Sequence, residues 1–319
     1  MAARSPARAL EALARHLTPH PTSAPQQAAV AGGSLSAGQL AQFHRHGWVN
    51  VEGCLSDADF AGMERAYDAL IDAQAQDWLR AGKVRSAHEG LGFATRLAAL
   101  AEEMSDDDYD TEMRQFVGEL DEARLDIPEA IEFFFCPALL DAVESIVGPE
   151  ISFNPINHVR PYVPARRGGR DGGGRDSADR GRWPHGAHEQ RWSCHPMATW
   201  HMDQTVATPD ADGVDILTVW IAMVDTSVEN ARPLPPRTPL PFATSPLQLT
   251  IPPSPQGCLQ ILPDVAPGKE LTTGHHEDPG VPWPGAKPHD CIMKRGDVLL
   301  LSAYTPHQSQ FNLSHGVRW

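Results

Sequence analysis

The residues of this 319-residue chain best suited to chemistry are His201 and Asp203 in TWHMDQTV, with His307 far downstream in SAYTPHQS. Side chains at i and i+2 of a strand share a face. A strand through His201-x-Asp203 therefore sets one imidazole beside one carboxylate. A third ligand from a distant strand completes a facial triad. Two histidines and a carboxylate on one face of Fe(II) leave three positions open for a cosubstrate and dioxygen. Zinc accepts similar ligands but usually forms a four-coordinate site without that redox chemistry.

The pattern by itself does not select the site, because 15 histidines in an acidic chain produce His-x-Asp by chance. A second copy, His276-Glu277-Asp278, stands in GHHEDPG. That copy lies among Gly274, Pro279, Gly280, Pro282 and Pro284, which is loop composition. It also precedes His307 by only 31 residues, too few for the several strands that separate the two ends of such a site. His201 precedes His307 by 106 residues, with three strand candidates between them. The triad is therefore read as His201, Asp203 and His307. Cys194, His195 and His201 offer a zinc alternative, but Pro196 and the lack of a second paired knuckle weigh against it.

The elements that must position these residues fall into two halves. Residues 36–148 read as mainly helical. Ser56 caps SDADFAGMERAYDALIDAQAQDWLRAG, with acids in its first turn and Gly82 past its end. Phe60, Met63, Tyr67, Leu70 and Ile71 recur at helical spacing and predict one buried face. Tyr67 needs a partner for its hydroxyl there, or a place at the edge. PALLDAVESIVG, 137–148, starts on Pro and ends on Gly, a second helix signature. GWVNVEG reads as a short strand.

From 149 to 319 the period changes. ISFNPINHVRPYV, VDILTVWIAMV, GCLQILP and GDVLLLSAY are strand-like runs rich in aliphatic and aromatic residues. Helices first and strands later predict an α+β fold, with helices buttressing antiparallel sheets. Two stretches fit neither half. Residues 165–192 are rich in Gly, Arg and Asp, with too little apolar content to pack. Residues 231–256 hold nine prolines in 26 positions, which excludes a central strand. Both are expected to be irregular insertions.

Composition narrows the function classes. The net charge of -15 disfavours a nucleic-acid partner. No apolar run approaches the length that spans a membrane. Five cysteines, at 54, 136, 194, 258 and 291, lack CxxC spacing and read as free thiols in a reducing compartment. Residues 1–35 read as a disordered tail or a targeting segment. The Ala-rich, Arg-bearing start fits a transit peptide, and RALEALARHL is one residue too long for an N-terminal peroxisomal signal. The cytoplasm is the expected compartment, with mitochondrion and peroxisome as alternatives. Oligomeric state is not specified.

Four segments, in register, carry a family resemblance over most of 38–319. They are LAQFHRHGWVNVEGCLSDADF, TWHMDQ, LTVWIAMVDTSVEN followed by GCLQILP, and RGDVLLLSAYTPHQSQFNLSHGVRW. The chain resembles the phytanoyl-CoA dioxygenase family of Fe(II)- and 2-oxoglutarate-dependent oxygenases. The resemblance implies a double-stranded β-helix, a jelly-roll or cupin-like barrel buttressed by N-terminal helices. It implies His201, Asp203 and His307 as iron ligands. It implies Arg318, eleven residues past His307, as the arginine that holds the distal carboxylate of 2-oxoglutarate. A guanidinium suits that task because its planar fork binds a carboxylate bidentately and stays charged. Ser309 matches a hydroxyl donor to the same carboxylate, and Trp220 an aromatic lining the cosubstrate pocket. The alternatives are a surface arginine, a surface serine and a core tryptophan.

The activity implied is hydroxylation of a small organic substrate, an acyl-CoA or a secondary metabolite, with dioxygen consumed, 2-oxoglutarate as cosubstrate and ascorbate as a reductant. Asp203 speaks against a halogenase, which needs a small residue there to admit chloride. Two departures from the family pattern support an alternative, an inactive or purely binding member of the same fold. Family members join EN directly to GCLQ, whereas residues 231–256 intervene here, as a genuine loop at the barrel mouth or as retained non-coding sequence. The family also continues past its arginine with another core strand. The sequence ends at Trp319, so the barrel is expected to lack that strand.

Overall fold

The computed structural model describes residues 34–121, 126–154, 157–164, 200–206, 216–226, 258–263, 287–309, 312 and 316–319. The tail before residue 34, the insertions 165–192 and 231–256, the His276/Asp278 pair and Cys194/His195 lie outside the described residues.

The N-terminal half is helical as its periodicity predicts. Helix α1 spans Ala37–His46, and Ser36 and Gln39 form a reciprocal capping box at its start. Leu35, assigned to the tail on sequence, is buried, and its amide donates to Ser145 Oγ. Strand β1, Trp48–Val51, follows directly. Helix α2, Asp57–Arg80, buries Phe60, Met63, Ala66, Tyr67, Ile71, Ala75 and Trp78 along one stripe. Each large apolar side chain buried this way stabilises by roughly 1.5–3 kcal/mol. Tyr67 satisfies its hydroxyl on the Leu120 carbonyl at 3.4 Å. Helix α3, Phe93–Glu103, is followed by α4, Asp106–Asp108, which runs through a π turn at Tyr109–Met113 into α5, Arg114–Asp121. Helices α6, Pro128–Phe134, and α7, Pro137–Val147, both begin on proline, where the missing amide hydrogen has no intrahelical partner to lose.

The C-terminal half supplies β2, Leu217–Ile221, β3, Leu259–Ile261, β4, His289–Cys291, β5, Val298–Ser302, and β6, His307–Ser309. Two antiparallel sheets form, in the orders β1-β5-β2 and β4-β3-β6. Alternation along β5 shows how they stack. Val298 and Leu300 join the core shared with the helices, while Leu299 and Leu301 join a second cluster with Leu259, Ile261, Cys291 and Met293. The sheets thus face each other across that second cluster, and the helices cover the outer face of the β1-β5-β2 sheet. Trp48 and Trp220 pack at the inner cluster.

One strand reading needs correction here, and one strand is new. ISFNPINHVRPYV forms no extended strand among its described residues. Its only pairing is a single bridge between Tyr162 and Arg318. Three prolines border or interrupt that run, at 155, 161 and 164, and each removes a ladder donor. Strand β4 was not legible because HDC is short and polar, and only Cys291 is buried.

The turn before β5 ties the two halves together. Gly296 has φ 92°, and a Cβ there would sit 2.2 Å from the Leu55 carbonyl oxygen. That oxygen's own residue donates its amide to the Gly296 carbonyl at 2.9 Å. Arg295 beside it donates to Asp57 Oδ1 at 2.7 Å, Glu64 Oε1 at 2.6 Å and the Met223 carbonyl at 2.6 Å. Its guanidinium also lies 4.3 Å from the centre of the Phe60 ring. The helix α2 and the β2 end are clamped by one side chain. Cys54, Cys136, Cys258 and Cys291 are buried free thiols. Among the described residues no helix is long and apolar enough to cross a membrane.

Candidate metal centre

His307 opens β6 and is buried, and its register fixes where it points. It pairs with Ile261, and Ser309 pairs with Leu259. Directly paired residues share a face. Ile261 and Leu259 belong to the inner cluster, so His307 and Ser309 face the space between the sheets. Gln260, Gln308 and Asp290 alternate to the other face, where their side chains hydrogen-bond in a row at 2.6 and 2.7 Å.

The loop into β6 orients the imidazole. His307 Nδ1 lies 3.0 Å from the Thr305 carbonyl, which can only accept. The Nδ1 proton is thereby assigned, and the Nε2 lone pair is left for a metal. The Thr305 hydroxyl donates at 2.7 Å to the Gly47 carbonyl, so this loop is fixed in turn to the end of α1. Gly47 has φ 77°, and a Cβ there would meet the Thr305 hydroxyl at 2.6 Å.

The strand expected through His201-x-Asp203 does not form. His201 makes one bridge, to His307, and Asp203 already opens a 3-10 turn, Asp203–Val206. The Gln204 amide donates to the Ala303 carbonyl at 3.1 Å, which bends the chain away from β6 after a single pair. The side chains converge nevertheless. Asp203 Oδ1 is 3.7 Å from His201 Nε2 and 3.7 Å from His307 Nε2. One ligand atom from each of the three lies within 4.8 Å of the others. Metal–ligand bonds of about 2.0–2.2 Å bring donor atoms within about 4.4 Å of each other, so small side-chain movements suffice to enclose one ion. No other His/Cys/Asp/Glu group of this kind occurs among the described residues.

The second carboxylate oxygen is also assigned. Thr218 Oγ1, on β2, donates a short hydrogen bond to Asp203 Oδ2. Sequence reasoning missed this residue. The signal was available, since Thr218 and Trp220 alternate onto the same face of β2. Trp220 pairs with Leu299 and is half-buried against the inner cluster.

Arg318 is 4% exposed. Its neighbours Val317 and Trp319 pack in the helix-side core, Trp319 stacking on Phe93 with ring centroids 4.2 Å apart. Alternation therefore sends Arg318 the other way. Its charge reaches Cys258 on the β3 edge, whose thiol burial pushes up to about 11 and the Arg318 cation pulls back down. Cys258 adjoins Leu259, the partner of Ser309. Along β6, Ser309 is two residues from His307, about 6.5 Å at the usual strand rise. Burial holds the Arg318 guanidinium below its ordinary pKa.

No family model and no curated protein matches the chain. Solved structures similar to it include the following three. The non-heme alpha ketoglutarate dependent carbocyclase SnoK from nogalamycin biosynthesis shares 15% identity over 90% of this chain and 84% of its own, with a TM-score of 0.41. The non-heme alpha ketoglutarate dependent epimerase SnoN shares 16% identity over 88% of this chain and 76% of its own, with a TM-score of 0.42. SnoN in complex with Fe3+, alpha ketoglutarate and nogalamycin RO gives 16%, 88%, 78% and 0.40 for the same quantities. At these scores the likenesses are too distant to define the barrel or the reaction. The chemistry of the chain's own residues has to do that.

Proposed function

We propose that the chain is an Fe(II)- and 2-oxoglutarate-dependent oxygenase of the phytanoyl-CoA dioxygenase type that hydroxylates a small organic substrate. The observation that carries the reading is the convergence of His201, Asp203 and His307, with ligand atoms within 4.8 Å, between two sheets. The donor set fits the ion. Two neutral imidazoles and one carboxylate on one side are the set that suits non-heme Fe(II). The Thr305 carbonyl and the Thr218 hydroxyl pre-orient two of the three ligands.

His201, Asp203 and His307 would hold the metal, and Arg318 with Ser309 would receive the distal carboxylate of 2-oxoglutarate. Iron bound there with 2-oxoglutarate and dioxygen supplies oxidative decarboxylation to succinate and carbon dioxide, coupled to insertion of one oxygen atom into a substrate C–H bond. The chain's own part is positional. Two backbone hydrogen bonds hold the histidines together. The inner cluster of Leu259, Ile261, Leu299 and Leu301 keeps water from the back of the site. The buried Arg318 charge gives a dicarboxylate an advantage over a monocarboxylate. A double-stranded β-helix built on these two sheets is part of the same proposal.

Succinate formation from 2-oxoglutarate, with Fe(II), ascorbate and dioxygen, tests the reading in the full chain and in Asp203→Ala. The reading expects turnover in the first and none above background in the second. Equal rates in both would exclude the triad as the catalytic metal site.

A further inference from the structure

Tyr162 is absent from the strand that the sequence assigns to it, yet it is the residue most closely engaged with Arg318. The two exchange backbone hydrogen bonds, Tyr162 N to Arg318 O at 2.8 Å and Arg318 N to Tyr162 O at 3.1 Å. That pairing sets the two side chains opposite one another on one face. The guanidinium carbon of Arg318 lies 3.9 Å from the centre of the Tyr162 ring. Tyr162 is 5% exposed.

The pair is tied from a third side. Asn312, 1% exposed, donates its side-chain amide to the Tyr162 carbonyl at 2.6 Å and to the Gly316 carbonyl at 2.7 Å. On the far side of the backbone Trp319 stacks on Phe93 and meets the edge of Tyr67 at 6.1 Å. The segment 316–319 is therefore fixed along its length, and the remaining freedom of Arg318 is in its long side chain. The Tyr162 ring over the guanidinium carbon removes much of it. A guanidinium held on one side by a ring can still present a planar fork to a carboxylate. The ring face also compensates the buried cation.

We propose that Tyr162 is a positioning residue for cosubstrate selection, its ring holding the Arg318 guanidinium in the orientation that receives the distal carboxylate of a 2-oxo diacid. This rests on the assignment of Arg318 made under the proposed function. It goes beyond that assignment in naming what sets the fork and what makes it discriminate against a 2-oxo acid with no second carboxylate.

The test compares 2-oxoglutarate with 2-oxopentanoate, which lacks the distal carboxylate, in the full chain, Tyr162→Leu, Tyr162→Phe and Arg318→Ala. Metal affinity is measured alongside. In Tyr162→Leu the KM for 2-oxoglutarate should rise by about tenfold, in the range of a desolvated cation–ring contact. kcat should change less than KM, and the KM for 2-oxopentanoate should change least, so the preference for the diacid narrows. Tyr162→Phe, which keeps the ring face, should recover most of the lost affinity. If Tyr162→Leu does not yield folded protein, Tyr162→Met keeps the volume without a ring face and gives the same comparison. An equal rise in KM for both acids would mark Tyr162 as structural only and overturn the proposal. So would an unchanged KM for 2-oxoglutarate in Tyr162→Leu when Arg318→Ala weakens it. If Arg318→Ala itself leaves the KM for 2-oxoglutarate unchanged, the assignment of Arg318 falls and this inference falls with it, whereas the metal triad stands or falls on Asp203→Ala.

Discussion

His201 and His307 hydrogen-bond each other's backbone in both directions, at 3.0 and 2.9 Å, and their rings lie with centroids 4.3 Å apart. Residues separated by 106 positions are thus joined at one pair, with no strand through the described residues 200–206 to share the task. The candidate metal centre is held by local hydrogen bonds, which make separable predictions.

Thr218 fixes one oxygen of Asp203 and leaves the other toward both histidines. Thr218→Val keeps the shape and removes the donor. Metal affinity should fall by about 10–100-fold, the usual cost of losing a partner that orients a ligand. Melting of the metal-free protein should move little by comparison. Titration of both proteins with Fe(II) under anaerobic conditions measures the difference, and identical affinities would remove Thr218 from the centre.

Arg318→Ala should weaken 2-oxoglutarate binding by on the order of 2–5 kcal/mol, the cost of truncating one partner of a buried charge pair. Fe(II) binding should be largely retained, because Arg318 supplies no ligand atom. Calorimetric titration with 2-oxoglutarate in the presence of a redox-inert divalent ion reads the loss without turnover. An unaltered isotherm would take Arg318 out of the cosubstrate pocket.

Gly296→Ala should lower stability by about 3 kcal/mol, from strain at positive φ and displacement of a backbone neighbour. The clash is with the Leu55 carbonyl, which cannot move without breaking the Leu55–Gly296 hydrogen bond. Thermal unfolding of the metal-free chain is the appropriate measurement. A melting temperature equal to that of the parent would mean that the 294–297 turn is not the rigid junction described.

Much of this arrangement could be read before any coordinates. The helix from Asp57 to Arg80, its buried face and the need for a Tyr67 partner follow from cap chemistry and a 3.6-residue period, which are local. The separation of His201 from His307, with three strand candidates between, singled out the residues that the structure brings together. What was not legible depends on contacts distant in sequence. Asp203 opens a 3-10 turn because the Ala303 carbonyl takes the Gln204 amide, and nothing in TWHMDQ encodes Ala303. The strand signal over ISFNPINHVRPYV did not point to the Tyr162–Arg318 pair, because a single bridge has no periodicity. The strand His289–Cys291 is recognisable only by its partner β3. Thr218 could have been found, since its face of β2 is the one that carries Trp220.

The most direct test of the account is anaerobic addition of Fe(II) and then 2-oxoglutarate to the full chain, followed by visible absorption. The account predicts one Fe(II) bound per chain and a new charge-transfer band on adding 2-oxoglutarate, both lost in Asp203→Ala. Arg318→Ala should keep the iron and require far more 2-oxoglutarate to develop the band. A chain that binds no Fe(II), or whose band is unchanged by Asp203→Ala, would contradict the assignment of His201, Asp203 and His307 as the metal centre.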